Sequence, residues 1–360
     1  MMPLAPILAW LVDEASAVAG PDRFLAALGA QLIGAGLPLA GGALTLSAPH
    51  PIVARRSWLW RAENGVVIEA LGFGALGPVQ SGQGDLGRDW LAGLGAAMVQ
   101  EDIAGSGPDD PLLGWAASRE LTADQTALLR EVARFAAAPL AALAMRATLT
   151  ALLEAYLGRR SAAQVMAGRL QREMGETIRA VLLYGDLRGF TEFSETMAPE
   201  AVVAALDAWF DRIAGAVHAF GGEVLKFIGD GVLAIFPVGD RPASLACDAA
   251  LNAAAAAQAG MAHLDRQRTS QGLPPLPFGM GLHLGEMLWG NIGTADRLDF
   301  TAIGPAVNLV SRLEGLCRPL GRNLLVSGAV AAETTARLIP LGDHVLRGIA
   351  TPCAVFTPAD

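Results

Sequence analysis

The chain has 360 residues, enough for two ordinary domains, and 52% of them are hydrophobic whereas 17% are charged. Its formal net charge of −9, without basic runs longer than pairs, argues against a nucleic-acid-binding surface. The cysteines Cys247, Cys317 and Cys353 are odd in number and widely spaced, which indicates a reducing compartment and no metal site and favours buried apolar packing as their role.

The first residues do not have the pattern of a signal peptide, because no basic segment precedes the apolar run and Asp13 and Glu14 follow it. The most apolar long stretch, 132–153, is interrupted by a proline and two arginines, so it is a poor membrane span and a reasonable buried or dimer-forming helix. We therefore expect a cytoplasmic protein without a membrane span.

Residues 1–140 are predicted to form a first domain in which helices flank a small sheet. The Asn64–Gly65 pair between two apolar runs predicts a β-hairpin, and Thr122 is suited to the N-cap of a long helix. The predicted elements are helices over 4–18 and 24–33, strands over 43–48, 57–62 and 65–73, a helix over 89–99, and a long helix from residue 122.

This order of elements resembles a GAF-like sensor module, in layout and not through any motif. The resemblance implies an α/β regulatory domain. Five tryptophans lie in this region and leave two interpretations open, a ligand pocket or core packing, of which core packing is favoured. They are Trp10, Trp58, Trp60, Trp90 and Trp115.

Residues 141–175 are predicted to be a helical linker. The helical pattern runs almost continuously over 122–175, with breaks expected at Pro139 and Gly158. A helix between two domains often packs against a second copy of itself. The apolar positions form no sustained heptad, so the pattern does not predict a coiled coil.

Residues 176–360 are predicted to form a second domain, which makes the whole chain α+β. The order β-α-β-β-α-β at its start is typical of a ferredoxin-like core. The predicted elements are a strand over 180–187, a helix over 200–220, a hairpin closing at residue 230, a helix over 242–267, a strand pair over 278–293, a strand over 297–304, a helix over 305–321, and strands over 323–326 and 344–356.

Two aspartates lie at the rims of neighbouring apolar strands, Asp186 and Asp230. Carboxylates suit Mg²⁺ or Mn²⁺, which take their remaining ligands from water and substrate phosphates. An Asp–Gly pair can also close a hairpin by itself, so Asp230 alone would be ambiguous, but the two aspartates together favour a metal site. Residues 187–191 lead into a helix whose first backbone N–H groups can meet a phosphate chain.

Lys226 is the only lysine in a chain that has 25 arginines. A slim single-point donor can reach a purine ring nitrogen, whereas a planar, forked guanidinium is too bulky. The alternative is an exposed lysine retained by chance. Asn308 and Arg312 are four residues apart on one predicted helix and share a face, where an amide and a cation could orient a ribose and neutralise an α-phosphate. The alternative there is an ordinary polar helix face.

Three segments resemble the catalytic domain of class III nucleotidyl cyclases, in that family's order. They are GDLRGFT at 185–191, EVLKFIGDGVLAIF at 223–236 and TAIGPAVNLVSRLE at 301–314. The resemblance implies a head-to-tail homodimer with active sites shared between two chains. Gly185 and Pro305 depart from the family's usual residues without removing a catalytic group.

The resemblance also assigns roles to individual residues. It implies two divalent ions per site held by Asp186, Leu187 and Asp230. It implies base reading by Lys226 and Thr301, with lysine favouring adenine. It places Asn308 and Arg312 at the ribose and α-phosphate, Phe190 and Thr191 at the substrate, and Arg347 at the terminal phosphates. Threonine at 301 marks a subgroup that includes bicarbonate-responsive enzymes, so bicarbonate or another small ligand is a candidate effector.

The sequence thus favours an adenylyl cyclase that converts ATP to 3′,5′-cyclic AMP and pyrophosphate under N-terminal control. One protomer would supply Asp186 and Asp230, and its partner would supply the base- and ribose-reading residues. Three alternatives stay open: a non-catalytic dimeric nucleotide-binding module, a GTP-using cyclase, and a diguanylate-type enzyme. The last rests on Gly221-Gly222-Glu223, whose following residues, Val224 and Leu225, break the expected signature.

Overall fold

The computed structural model describes residues 6–47, 53–73, 86–105, 107, 110–169, 175–294, 296–349 and 351–359. These residues form two compact units, which span 1–156 and 157–360. Each unit has its own hydrophobic core.

The first unit is built on a five-stranded antiparallel sheet. Its described strands are β1 (Leu39–Ser47), β2 (Val53–Arg61), β3 (Val67–Phe73), β4 (Met98–Ile103) and β5 (Leu112–Ala117), in the order β3-β2-β1-β5-β4. Its described helices are α1 (Pro6–Asp13), α2 (Pro21–Gly34), α3 (Leu86–Ala92) and α4 (Ala123–Leu157), with a 3₁₀ turn over Ala15–Ala17.

The predicted β2–β3 hairpin is confirmed, since the Asn64 side chain accepts a hydrogen bond from Val66 N at 3.0 Å and Gly65 has a φ of 69°. The predicted helix over 89–99 is wrong in its second half, because α3 ends at Ala92 and β4 begins at Met98. That segment is drawn into the sheet by pairing with β5, with Met98 opposite Ala117. Long-range pairing here overrides the local helical pattern.

Three of the five N-terminal tryptophans are core residues, which confirms the packing interpretation for them. Trp58, Trp60 and Trp115 are at most 5% exposed, and the rings of Trp60 and Trp115 meet edge to face at 6.4 Å. Trp10 and Trp90 are partly buried against the two clusters of this unit.

Helix α4 begins with a reciprocal cap, which confirms the expected role of Thr122. Gln125 N donates to Thr122 Oγ1 at 3.3 Å, and Thr122 N donates to Gln125 Oε1 at 3.1 Å. The expected break at Pro139 is wrong, since α4 continues to Leu157, but the break at Gly158 is confirmed by a φ of 78° before α5 (Arg159–Met166).

Among the described helices, α4 is the one whose length and composition would also allow it to cross a membrane. Side chains between Leu129 and Leu143 of this helix are buried in the core of the first unit. Core helices of soluble proteins meet the same criterion, so the absence of a membrane span stays a prediction.

The second unit is built on an eight-stranded mixed sheet. Its described strands are β6 (Gly175–Leu187), β7 (Glu223–Ile228), β8 (Gly231–Pro237), β9 (Phe278–Gly293), β10 (Leu298–Ile303), β11 (Leu324–Ser327), β12 (Leu338–His344) and β13 (Cys353–Pro358). The sheet order is β12-β13-β11-β9-β6-β8-β7, and β10 pairs with β9 outside this path. Its further helices are α6 (Phe190–Thr196), α7 (Pro199–Ala219), α8 (Ala243–Ser270), α9 (Pro305–Gly315) and α10 (Gly328–Ala331).

Two strand predictions in this unit are wrong. The segment 278–293 is one 16-residue strand and not a pair, because β6 pairs with it from Phe278 to Gly290 without a turn. The predicted strand over 344–356 divides, since β12 ends at His344 and β13 begins at Cys353.

Alternate residues of β6 face two different layers. Val181 and Leu183 pack against α7 and α8, whereas Ala180 and Leu182 pack against α9 and β10. Because side chains alternate between the two faces along a strand, Asp186 near the end of β6 lies on the α9 side of the sheet.

Candidate active site

The structure brings Asp186 and Asp230 together at one rim of the sheet. Asp186 is the penultimate residue of β6, and Asp230 lies in the turn between β7 and β8. Burial, followed by the nearby charge of Asp230, raises the pKa of Asp186 to about 7. Asp186 Oδ1 is buried and has no hydrogen-bond partner among the described residues.

These two carboxyl groups fit a divalent cation. A buried carboxylate oxygen without a donor, beside a second carboxylate, is costly unless a positive charge joins it. The described residues contain no group of three or more His, Cys, Asp or Glu side chains that could hold a metal. The protein could thus offer two carboxylates and the backbone carbonyl of Leu187, and water and substrate oxygens would complete the shell.

Trp209 anchors the turn that carries Asp230. This α7 side chain is fully buried, and its Nε1 donates to the backbone oxygen of Asp230 at 2.9 Å. The sequence pattern gives no sign that this indole fixes the turn.

Helix α6 begins at Phe190, four residues after Asp186, which confirms the expected helix start. Gly189 precedes α6 with a φ of 71°, a conformation that glycine adopts at little cost. The partly buried Phe190 ring lies 6.3 Å from Phe193, between ring centroids, and packs against the core. Thr191, one residue on, is exposed.

A β-bulge in β7 turns Lys226 towards β10. The register with β8 shifts between Val224 and Lys226, so one extra residue, Leu225, lies between them. Val224 packs on the α7 and α8 side, whereas Leu225 packs on the α9 and β10 side. Without the bulge, strand alternation would give Lys226 the same side as Val224.

Lys226 meets two side chains of β10. Its Nζ lies 2.6 Å from Asp299 Oδ2 and 3.3 Å from Thr301 Oγ1. The predicted pairing of Lys226 with Thr301 is therefore present. Asp299 was missed by the sequence reasoning, although a residue two positions before Thr301 shares its side of a strand.

Helix α9 exposes Asn308 and Arg312 on one face, as their spacing predicts. Its opposite face, with Ala306, Val310 and Leu313, is buried. That face lies on a stripe of glycines in β9. They are Gly279, Gly281 and Gly285, where an added Cβ would meet Glu314, the backbone of Val310 and Glu314, and Ala306, respectively.

Glu314 is a third acidic residue near the pair, and the sequence reasoning missed it. Its carboxylate lies over Gly279, which is the cross-strand partner of Asp186. Burial and the charge of Asp230 raise the pKa of Glu314, against the opposing charge of Arg188. The charge of Glu314 in turn contributes to the raised pKa of Asp186.

Arg347 is exposed on the loop after β12. In the sheet order, β13, β11 and β9 lie between β12 and β6, the strand that carries Asp186. The structure thus groups Asp186 with Asp230 and Lys226 with Thr301, and it keeps Asn308 with Arg312 on one face. The assignment of Arg347 to phosphates stays a prediction.

Residues 173–337 match the family described as the adenylate and guanylate cyclase catalytic domain. Adenylate cyclase 1 of Rhizobium meliloti is 35% identical over 179 residues, which cover 48% of this chain and 26% of the relative. The adenylate cyclase of Anabaena cylindrica is 35% identical over 158 residues, which cover 43% of this chain and 30% of the relative. The chain thus spans less than a third of the length of these relatives.

Solved structures resemble this chain as well. A bacterial light-regulated adenylyl cyclase aligns over 72% of this chain and 85% of its own, with a TM-score of 0.54 and 20% identity, so the likeness concerns the fold. The adenylyl cyclase CyaB from P. aeruginosa aligns over 52% of this chain and 96% of its own, with a TM-score of 0.47 and 27% identity. Over residues 173–337, this chain is thus similar to the adenylate and guanylate cyclase catalytic domain.

Proposed function

We propose that the chain is an adenylyl cyclase, which converts ATP to 3′,5′-cyclic AMP and pyrophosphate. The observation that carries this proposal is the meeting of Asp186 and Asp230 at the end of β6, with a buried carboxylate oxygen that lacks a donor. Two relatives at 35% identity are adenylate cyclases by name, which supports the same activity.

In this proposal Asp186, Asp230 and the carbonyl of Leu187 hold two divalent cations, Mg²⁺ or Mn²⁺. When bound, such cations stabilise the charge of the triphosphate and lower the pKa of a coordinated hydroxyl. Arg312 faces the α-phosphate and neutralises the charge that develops there, while Asn308 orients the ribose. The backbone N–H groups of Phe190 and Thr191 receive phosphate oxygens at the start of α6.

The 3′-hydroxyl then attacks the α-phosphorus in line, and the bond to the bridging oxygen of pyrophosphate breaks. The hydroxyl proton leaves to water or to a substrate phosphate oxygen. Lys226 and Thr301 read the base, and their contact in the structure supports a shared pocket. Arg347 would meet the terminal phosphates from its exposed loop.

We further propose that the active site is completed by a second copy of the chain. Asn308 and Arg312 are exposed, and large apolar side chains beside Lys226 are exposed as well, with Phe227 at 49% and Ile228 at 50%. Apolar side chains of this size favour a covering surface. One protomer would supply the two aspartates, and its partner would supply Lys226, Thr301, Asn308 and Arg312.

Two architectural proposals accompany the activity. The antiparallel order β9-β6-β8-β7, with α7 and α8 packed on one face, supports a ferredoxin-like βαββαβ core. The five-stranded antiparallel sheet with flanking helices supports a GAF-like sensor domain in the first unit, which would control the cyclase.

The test is a turnover assay on the purified full-length chain with ATP or GTP and Mn²⁺. We expect cyclic AMP from the wild type and at least a 100-fold loss in Asp186→Asn, since metal ligands are required. Asp207→Asn, at an exposed position of α7, is the matched control and should retain activity. Cyclic GMP as the main product would instead support a GTP-using cyclase. Nucleotide binding without a product would support a non-catalytic module.

A further inference from the structure

We propose that Asp299 is the residue by which the base pocket selects adenine over guanine. The inference rests on the proposed function, because it assigns a role within the pocket formed around Lys226. It starts from the ion pair between Lys226 Nζ and Asp299 Oδ2 at 2.6 Å, which joins β7 to β10.

The hydrogen-bonding capacity of this cluster defines what it can bind. A lysine ammonium has three N–H donors, of which Asp299 receives one and Thr301 a second, at 3.3 Å. One donor of Lys226 therefore remains for a ligand. The Asp299 side chain is 60% exposed and uses Oδ2 for the lysine, so its Oδ1 remains as a charged acceptor. The cluster thus presents a donor and an acceptor side by side.

Adenine complements this pattern when its ring nitrogen N1 faces Lys226. Its exocyclic amino group then donates towards Asp299, so both hydrogen bonds form. Guanine in the same position reverses both groups, since it has a carbonyl oxygen at position 6 and an N–H at N1. Asp299 would then face an acceptor and Lys226 a donor. Binding of guanine would leave these polar groups unpaired, which disfavours guanine relative to adenine.

Asp299 is better suited to this discrimination than Thr301. A carboxylate only accepts hydrogen bonds, whereas a hydroxyl can rotate to accept from adenine or donate to guanine. Hydrogen bonds to a charged acceptor are also the stronger kind. In addition, Thr301 Oγ1 already accepts from Lys226 in the structure.

The local structure holds Asp299 in place. Residues 299 and 301 share one side of β10, and the intervening Phe300 stacks on Trp289 with ring centroids 4.9 Å apart. Across the ladder, Asp299 is opposite Ile292 of β9. The acceptor is therefore carried by a paired strand and not by a free loop.

Asp299→Asn in the full-length chain tests the inference. The amide keeps the shape of the carboxylate, but it can turn an N–H donor towards position 6 of the base. We expect the ratio of kcat/KM for ATP to that for GTP to fall at least tenfold. Asp296→Asn is the matched control, because it removes a carboxylate three residues away that accepts a hydrogen bond from Thr294 and does not contact Lys226. The ATP-to-GTP ratio of this variant should stay at the wild-type value. Thr301→Val should change the ratio less than Asp299→Asn.

Binding of 3′-deoxy-ATP and 3′-deoxy-GTP with Mn²⁺, measured by calorimetry, gives a readout that is independent of turnover. We expect the wild type to prefer the adenine analogue and Asp299→Asn to lose most of that preference. An equal loss of affinity for both analogues would assign Asp299 a merely structural role and overturn the inference. Preference in the wild type that persists in Asp299→Asn would also overturn it and leave the proposed cyclase intact. A wild type that binds neither analogue would overturn both.

Discussion

Two features of the surroundings of Asp186 disfavour its charged form. Its carboxyl group is partly buried, and a second carboxylate, Asp230, lies beside it. Both effects favour the protonated form, which explains why its pKa rises to about 7 while most carboxyl groups in proteins titrate near 4. A divalent cation would remove this penalty, so proton and metal compete for the same oxygens.

This competition predicts a pH-dependent metal affinity. Below pH 7 Asp186 carries a proton that a cation must displace, so the affinity for Mn²⁺ should fall about tenfold per pH unit. Above pH 7 the carboxylate is already free and the affinity should level off. Calorimetric titration of the nucleotide-free chain with Mn²⁺ between pH 5.5 and 8.5 measures this. Asp186→Asn should bind weakly with little pH dependence, and a wild-type affinity equal at pH 6 and pH 8 would contradict the argument.

Some residues of the candidate site could be predicted from the sequence and others could not, for a physical reason. Asp186, Asp230 and Lys226 were found because a polar residue at the rim of an apolar strand, or a unique lysine, stands out locally. Asp299 was missed because it stands out only through its contact with Lys226, which lies 73 positions away in the sequence. Glu314 was missed in the same way, since it approaches Asp186 only through the packing of α9 on β9.

At the level of elements, the position of α9 depends on the glycine stripe of β9. A Cβ on Gly281 would lie 2.8 Å from the backbone oxygen of Val310 and 3.0 Å from the backbone nitrogen of Glu314. These atoms belong to the helix backbone, so a rotamer change cannot relieve the contact and α9 itself must move. The helix carries Asn308 and Arg312, so a shift of α9 displaces both.

Gly281→Ala should therefore lower both stability and activity. We expect a loss of about 1–3 kcal/mol in the free energy of unfolding, as for other overpacked cores, and at least a tenfold loss of turnover. Urea unfolding and the cyclase assay measure the two effects. Gly215→Ala is the matched control, because an added Cβ on this α7 residue meets no described atom within 4 Å and alanine favours the helix by about 0.5–1 kcal/mol. If both variants behaved alike, the glycine stripe would not determine the position of α9.

Whether a helix or strand could be predicted from the sequence depends on how far apart along the chain the residues that determine it lie. The Thr122 cap, the Asn64–Gly65 hairpin and the break at Gly158 were predictable, because each depends on neighbouring residues. The strand β4 and the undivided β9 were not, because each is set by pairing with a strand far along the chain. Pro139 was misjudged for a related reason, as tertiary burial of α4 outweighs the hydrogen bond that a proline removes.

For the whole molecule, the second unit contains every candidate site residue, yet no single copy need hold a complete site. The two aspartates lie at the end of β6 and in the β7–β8 turn, whereas Asn308 and Arg312 face outward on α9. A head-to-tail dimer would give each site one set from each chain. Each chain would then contribute to two sites at once.

Mixing two inactive variants tests this arrangement. Asp230→Ala and Asn308→Ala should each be inactive alone, while an equal mixture should recover about a quarter of the wild-type rate. Half of the dimers are then mixed, and each mixed dimer has one intact site out of two. The control mixture, Asp186→Ala with Asp230→Ala, should stay inactive because every site has lost a metal ligand. Failure of the first mixture to recover would exclude shared sites.

The bulge in β7 has a second consequence, for aggregation. β7 is the last strand in the described sheet order, so its outer backbone could template the addition of a strand from another chain. The bulge between Val224 and Lys226 twists this edge, and Glu223 at its start is ion-paired with Arg160. The irregularity that aims Lys226 thus also disfavours open-ended addition of strands at this edge.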